Sequence, residues 1–187
     1  MNSKTKWNSK HNERMKKLNK PTANPRLKRL SHYLNGGTAL DLACGLGGNS
    51  LFLANLGYHV QSIDISDVAI GYLNEQASKY HLTIQPQIAD LTDANYFQGK
   101  ANCFDVVILT YYLDRSLFPL IKQMIKDEGY LFMETFYQTS LIDSQGVSEQ
   151  YKLQSKELLA VFGDWDVLFF EENEQMGWQS IFCKKRS

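Results

Sequence analysis

At 187 residues the chain is about one domain long, and its 43% apolar and 21% charged residues exclude a wholly disordered polymer. No apolar run approaches the ~18 residues a membrane helix needs, and three widely spaced cysteines (Cys44, Cys103, Cys183) form no CxxC pair, which excludes a disulfide framework and a cysteine zinc site. The net charge of zero hides a split: residues 1–30 hold ten Lys or Arg against one acid, Glu13, and the remainder carries ten basic and nineteen acidic residues.

Such a split marks either a nucleic-acid arm or a basic flap on an acidic body. The basic start is not followed by an apolar signal core, so a reducing, cytoplasmic setting is expected. Residues 1–24 are polar, with Trp7, Met15 and Leu18 as their large apolar residues. They read as a mobile arm or lid with at most a short helix, and Pro21 and Pro25 bracket a linker. Residues 25–187 then read as a single domain.

From Leu27 onward short apolar runs alternate with helical patterns. Thr38–Ala43 (TALDLA) is a buried strand, Gly45–Gly48 a glycine turn, and Asn49–Leu56 a helix. His59–Ile65 is a second strand. Ser66 caps the following helix, where Ile70, Leu73, Ala77 and Tyr80 recur at helical spacing. Ile84–Ala89 is a weaker third strand, interrupted by Pro86. Phe104–Thr110 (FDVVILT) is continuous and β-branched, the pattern of a buried parallel strand. Leu117, Leu120, Ile121, Met124 and Ile125 fit a helix that Gly129 ends, before a fifth strand at Tyr130–Phe136. A short helix at Ser155–Phe162 precedes strands at Val167–Glu171 and Gln179–Lys184. Only Glu172–Trp178 separates the last two, too little for a parallel crossover. The final pair is therefore expected to be antiparallel on an otherwise parallel sheet.

In open α/β sheets ligands bind at the carboxyl ends of the strands. The first strand runs into Asp41-Leu42-Ala43-Cys44-Gly45-Leu46-Gly47-Gly48-Asn49, and the second ends in Asp64, placed to accept hydrogen bonds from ribose hydroxyls. Gly45 and Gly47 supply two glycines of the dinucleotide fingerprint, but Ser50 holds the third position. A carboxylate at Asp41 would repel a pyrophosphate and favour a cationic amino-acid group. Those residues argue for S-adenosylmethionine over NAD. Asp90, at the end of the third strand, is placed for an adenine amino group.

DLACGLGGNS, IDIS, IADL, FDVVILTYYLDR and GYLFMETF, in that order, resemble class I S-adenosylmethionine-dependent methyltransferases, and within them the small TehB-like branch of tellurite-resistance and thiopurine type. The resemblance covers about residues 25–184. It implies a Rossmann-like α/β fold: a seven-stranded, mostly parallel sheet with an antiparallel last strand and helices on both faces. Carried over by position, Asp41, Ala43, Gly45 and Gly47 would surround the methionine part of the cofactor, and Asn49 would also bind the cofactor. Asp64 would hold the ribose with Ile65 beside the adenine, Asp90 and Leu91 would meet the adenine edge, and Thr110 and Tyr111 would face the methyl group. Ala43 replaces the usual first glycine, and Gly48 stands where many relatives have Arg.

The resemblance implies methyl transfer to a small-molecule acceptor such as a thiol or chalcogen oxyanion, with S-adenosylhomocysteine as product. A soft nucleophile needs little beyond orientation, whereas an oxygen or nitrogen acceptor can need a base. Tyr111, Arg115 and Glu134 are the leading catalytic candidates, with Tyr112 and Asp114 nearby, and Arg115 could instead hold an anionic substrate. Cys44, inside the loop, reads as a packed residue. The histidines (His11, His32, His59, His81) have no metal-ligand spacing, so no metal is expected. No [DN]PP[YFW] motif follows the fourth strand, so nucleic acid is not an expected partner; without a long apolar run no membrane is expected either, and the protein is expected to be a monomer or homodimer. The alternatives are a cofactor-binding module without catalysis and an RNA or tRNA methyltransferase that uses the basic arm.

Overall fold

The computed structural model describes residues 2–17, 20–141 and 146–187. Leu18 and residues 142–145 lie outside the described residues. The strands form one seven-stranded sheet in the order β3-β2-β1-β4-β5-β7-β6. The chain divides into two units, Met1–Gln98 and Gly99–Ser187.

The first unit opens with α1, Ser3–Lys16. This helix is far longer than the sequence suggests, because little in it is apolar and His11 is its one buried residue. What holds it is polar. Asn2 caps it by accepting from the Thr5 N–H at 2.8 Å. The Asn8 side chain donates to Asp67 (2.6 Å) and accepts from the Ser66 hydroxyl (2.6 Å), and Lys4 pairs with Asp67 at 3.0 Å. The helix is thereby fastened to the start of α4, Asp67–Lys79. A second helix, α2 (Pro25–Leu30), begins with Pro at its first position and Asn24 as its cap. It buries Leu27 and Leu30.

Strand β1 (Gly37–Leu42) pairs in parallel with β2 (Tyr58–Asp64), and β2 with β3 (Ile84–Ile88). The β1–β2 register sets Asp41 opposite Ser62. Helix α3 (Gly48–Asn55) follows β1 after the glycine turn. Ser66 caps α4, accepting from the Ala69 N–H at 3.2 Å, as its sequence predicts.

In the second unit β4 (Phe104–Thr110) is buried from Val106 to Leu109, and α5 (Leu117–Met124) buries Leu117, Phe118, Ile121 and Met124. Strand β5 (Ile125–Phe136) starts directly where α5 stops. The helix therefore ends five residues before Gly129. Gly129 instead serves an irregularity in the β4–β5 pairing, where a Cβ would meet the Ile125 side chain at 2.8 Å and the Lys126 carbonyl at 2.9 Å. Apolar periodicity through Ile125 and a glycine after it imitate a longer helix. After α6 (Glu157–Phe162), β6 (Asp166–Asn173) and β7 (Trp178–Lys184) form the expected antiparallel hairpin, and β7 also pairs antiparallel with β5. Among the described residues no helix is long and apolar enough to cross a membrane.

Candidate functional site

The loop after β1 is built on left-handed backbone. Ala43 (φ 51°), Gly45 (φ 54°) and Gly47 (φ 82°) all have positive φ. Glycine adopts this conformation readily, whereas alanine is strained by roughly 1–2 kcal/mol. The loop is tied to β2 through Cys44 N–H to the Ile63 carbonyl (2.9 Å), and it closes on itself through Gly47 N–H to the Cys44 carbonyl (2.9 Å). At Gly47 a Cβ would collide with Leu73 at 2.4 Å. Gly48 lies against the preceding linker, where a Cβ would meet the Thr22 carbonyl oxygen at 2.4 Å. Asn24 and Asn49 fasten that approach, the Asn24 N–H donating to the Asn49 side chain at 2.9 Å.

Two carboxylates stand behind the loop with different surroundings. Asp64, 7% exposed, accepts from the Gly45 N–H at 2.8 Å through one oxygen and from the Ser66 N–H at 2.9 Å through the other. It therefore holds the glycine loop and the cap of α4 in place at once. Asp41 is fully buried. Ser62 donates to Ser50 (2.8 Å), and Ser50 donates to Asp41 Oδ2 (2.6 Å). Ser50, the residue that breaks the dinucleotide fingerprint, is thus the donor that Asp41 requires. The other oxygen, Oδ1, is buried with no hydrogen-bond partner. Burial pushes the Asp41 carboxyl up to about 7, with Asp64 adding to the rise and Ser50 opposing it. Burial also pushes the Cys44 thiol well up, which disfavours a thiolate there.

His11 was not foreseen from sequence as part of this site. Its ring, 2% exposed, lies beside Gly45: a Cβ on Gly45 would sit 3.2 Å from His11 Cε1. Trp7 stacks on it at 5.8 Å between ring centroids. Its Nδ1 is buried and has no partner, and burial lowers its pKa against the pull of Asp64. A lone histidine in a basic stretch gives no signal for this placement. Ile65 is half-buried next to Asp64, and Leu91 is buried. Asp90 is exposed, and one of its oxygens closes a turn by accepting from the Thr92 N–H (3.0 Å) and hydroxyl (2.8 Å).

The second unit gathers the remaining candidates. Thr110 ends β4 in register with Glu134 of β5. Tyr111 follows with φ 58°, its N–H donating to the Glu134 carbonyl at 2.8 Å. A bulky residue in left-handed backbone is strained, and such strain collects at functional positions. The Tyr111 hydroxyl donates to Glu134 Oε1 at 2.9 Å, and Ser180 donates to Glu134 Oε2 at 2.6 Å. The Tyr111 ring leans on Trp178 (5.2 Å) and Phe136 (6.0 Å). Arg115 does something different. It forks onto both oxygens of Glu157 (2.7 and 2.9 Å) and donates to the carbonyls of Gln150 (3.2 Å) and Lys152 (3.0 Å). The guanidinium clamps the segment before α6. Asp114 accepts from the N–H and hydroxyl of Ser116, which opens the turn into α5.

The family model described as tellurite resistance protein TehB matches residues 7–180. The chain belongs to the TehB family. Among curated proteins it is 32% identical over 142 residues to a Haemophilus influenzae protein named as a probable S-adenosyl-L-methionine-dependent methyltransferase TehB, covering 74% of this chain and 48% of that one. The chain thus spans about half the length of the curated TehB relatives it matches. The crystal structure of Haemophilus influenzae TehB superposes with a TM-score of 0.78 at 25% identity, over 91% of this chain and 65% of that one. A geranyl diphosphate C-methyltransferase from Streptomyces coelicolor, solved with S-adenosyl-L-homocysteine, shares the fold at a TM-score of 0.68 and 14% identity, over 87% and 77% of the two chains. This chain therefore has the class I methyltransferase fold.

Proposed function

We propose that this TehB-family chain transfers a methyl group from S-adenosylmethionine to a small-molecule nucleophile, a thiol or a chalcogen oxyanion. The observation that carries the reading is Asp41: a fully buried carboxyl with one oxygen satisfied by Ser50 and the other bare. A buried, unpaired acceptor is costly, and an ammonium group offsets that cost. The alternative donor set of a dinucleotide site has no use for it, because a pyrophosphate would be repelled. Gly45 and Gly47 supply the left-handed backbone of the loop, and Asp64 would accept from ribose hydroxyls. Ala43, Asn49, Ile65, Asp90, Leu91 and Thr110 complete the residues assigned to the cofactor.

S-adenosylmethionine, when bound, supplies a methyl group already activated on a sulfonium. The chain's own work is to bind, orient and exclude water, and orientation alone is worth on the order of 7–11 kcal/mol of a displacement barrier. The helical part of residues 1–24 serves in this reading as a lid over the cofactor loop, supported by His11 against Gly45. The reading takes the protein to be cytoplasmic and to act on a free small molecule.

Calorimetric titration with S-adenosylhomocysteine, with NAD in parallel, tests the assignment. Binding of the first and not the second is expected. Asp64→Ala should weaken S-adenosylhomocysteine at least about tenfold, ~1.4 kcal/mol, and an unchanged affinity sinks the ribose assignment.

A further inference from the structure

We infer that α1 is a proton-operated strap: it stays docked on the glycine loop while His11 is neutral and is released when His11 takes a proton. The strap stands on the first unit alone, and its effect on the cofactor rests on the methyltransfer reading. Lys4, Trp7, Asn8 and His11 fall at i, i+3, i+4 and i+7, one face of the helix. Lys4 and Asn8 fasten that face to Asp67 and Ser66, Trp7 stacks on His11, and His11 lies against Gly45. Among the described residues, His11 Nδ1 is the buried side-chain atom of α1 left with no hydrogen-bond partner. A neutral imidazole has one N–H and one bare lone pair, and an imidazolium has N–H on both nitrogens. Protonation would therefore bury a charged donor with no acceptor, which costs more than an idle lone pair.

The charged groups around the ring oppose one another. Asp64, at the end of β2, attracts the imidazolium, but its two oxygens already accept from the Gly45 and Ser66 N–H groups. Lys10 and Arg14, on the helix itself, repel it, and burial outweighs Asp64, so the docked ring titrates below its ordinary range. The loop adds no charge, since burial keeps the Cys44 thiol neutral. From α4 comes Asp67, already bound by Lys4 and Asn8 and held below the usual carboxylate range by them. Away from the loop the helix does not persist. Its 14 residues are marginal for an isolated helix, and Lys6, Lys10 and Arg14 at successive i, i+4 positions repel one another. Release therefore unfolds α1, while Thr22 and Asn24 stay against Gly48 and Asn49. A free histidine titrates near 6.5. Below about that pH the released form binds a proton that the docked form lacks, so docking weakens as pH falls, by up to about tenfold per pH unit, and is independent of His11 above it.

Hydrogen exchange of the amides of residues 7–16 in the full chain, corrected for its intrinsic pH dependence, reads the release. In wild type the released fraction should rise several-fold, up to about tenfold per pH unit, between about pH 6.5 and 5, and stay level between about 7 and 8. His11→Phe keeps a ring beside Trp7 and cannot titrate, so the rise should vanish. Proton magnetic resonance of the His11 ring supplies a second reading that needs no change at His11. In wild type the ring should titrate below about 6.5, and in Asn8→Ala, which removes two of the bonds that hold the strap, it should move toward that value. Flat exchange in wild type, an undiminished rise in His11→Phe, or an ordinary titration of the wild-type ring overturns the strap. S-adenosylhomocysteine affinity should fall between about pH 6.5 and 5 more steeply in wild type than in His11→Phe, by up to about tenfold, with Asp41 acting equally in both. Equal slopes overturn the strap's hold on the cofactor. Absence of S-adenosylhomocysteine binding at every pH overturns the methyltransfer reading and leaves the strap to be decided by exchange.

Discussion

Asp41 sets stability against binding within one residue. Its folded-state pKa, raised by burial to about 7, lies above the unfolded value near 4. Between those values the folded chain holds a proton that the unfolded chain has lost. The stability this proton represents is therefore fully present below about pH 4 and is lost as pH rises through about 7. A cationic ligand acts in the opposite sense, because it favours the ionised carboxylate. Asp41→Asn should melt several degrees higher than wild type at about pH 8, with a clearly smaller gain at about pH 5. In the same variant S-adenosylhomocysteine affinity should fall and lose its dependence on pH. Thermal unfolding and calorimetry at both pH values check this, and a variant that melts lower at the higher pH would sink it. The residue type at position 41 is readable in the sequence. The bare Oδ1 is not, because it depends on where Ser50 and Ser62 point.

At the scale of elements, the linker before α2 and the start of α3 approach more closely than any side chain at position 48 allows. The contact is with backbone, the Thr22 carbonyl, so it cannot yield by a rotamer change. Gly48→Ala should force residues 20–24 outward and weaken the Asn24–Asn49 bond that orders the cap of α2. Overpacking of this kind costs roughly 1–3 kcal/mol, read as a melting temperature lower by several degrees and as faster proteolysis between 17 and 25. An unchanged melting temperature would show that the linker gives way freely. Most elements were legible because each carried a local pattern: β4 matches its sequence expectation from Phe104 to Thr110, and the short 174–177 connection dictates an antiparallel hairpin. The junction of α5 and β5 was not, since the pairing irregularity that requires Gly129 involves a neighbouring strand. Helix α1 was underestimated for the same reason. Its stabilising bonds run to Ser66 and Asp67, some sixty positions away.

At the scale of the whole chain, the basic beginning and acidic remainder cancel to a net charge of zero. Deleting residues 2–17 removes α1, six Lys or Arg in all and Glu13, and leaves a net charge of −5. His11 is the one buried residue of that helix, so the remaining domain should stay folded. S-adenosylhomocysteine should bind about tenfold more weakly, ~1.4 kcal/mol, if α1 serves as a lid. Affinity equal to the full chain would reduce α1 to a surface helix. The family and the fold were legible from motif order. The placement of His11 beside Gly45 and of Ser180 on Glu134 was not, because only packing within each unit brings them there. The close approach at Gly48 also constrains the history open to this protein. A side chain can enter position 48 only after the 20–24 segment has been shortened or moved. Substitutions at these two places are accepted in one order and rejected in the other, so a path through sequence space that looks symmetric on paper runs in a single direction.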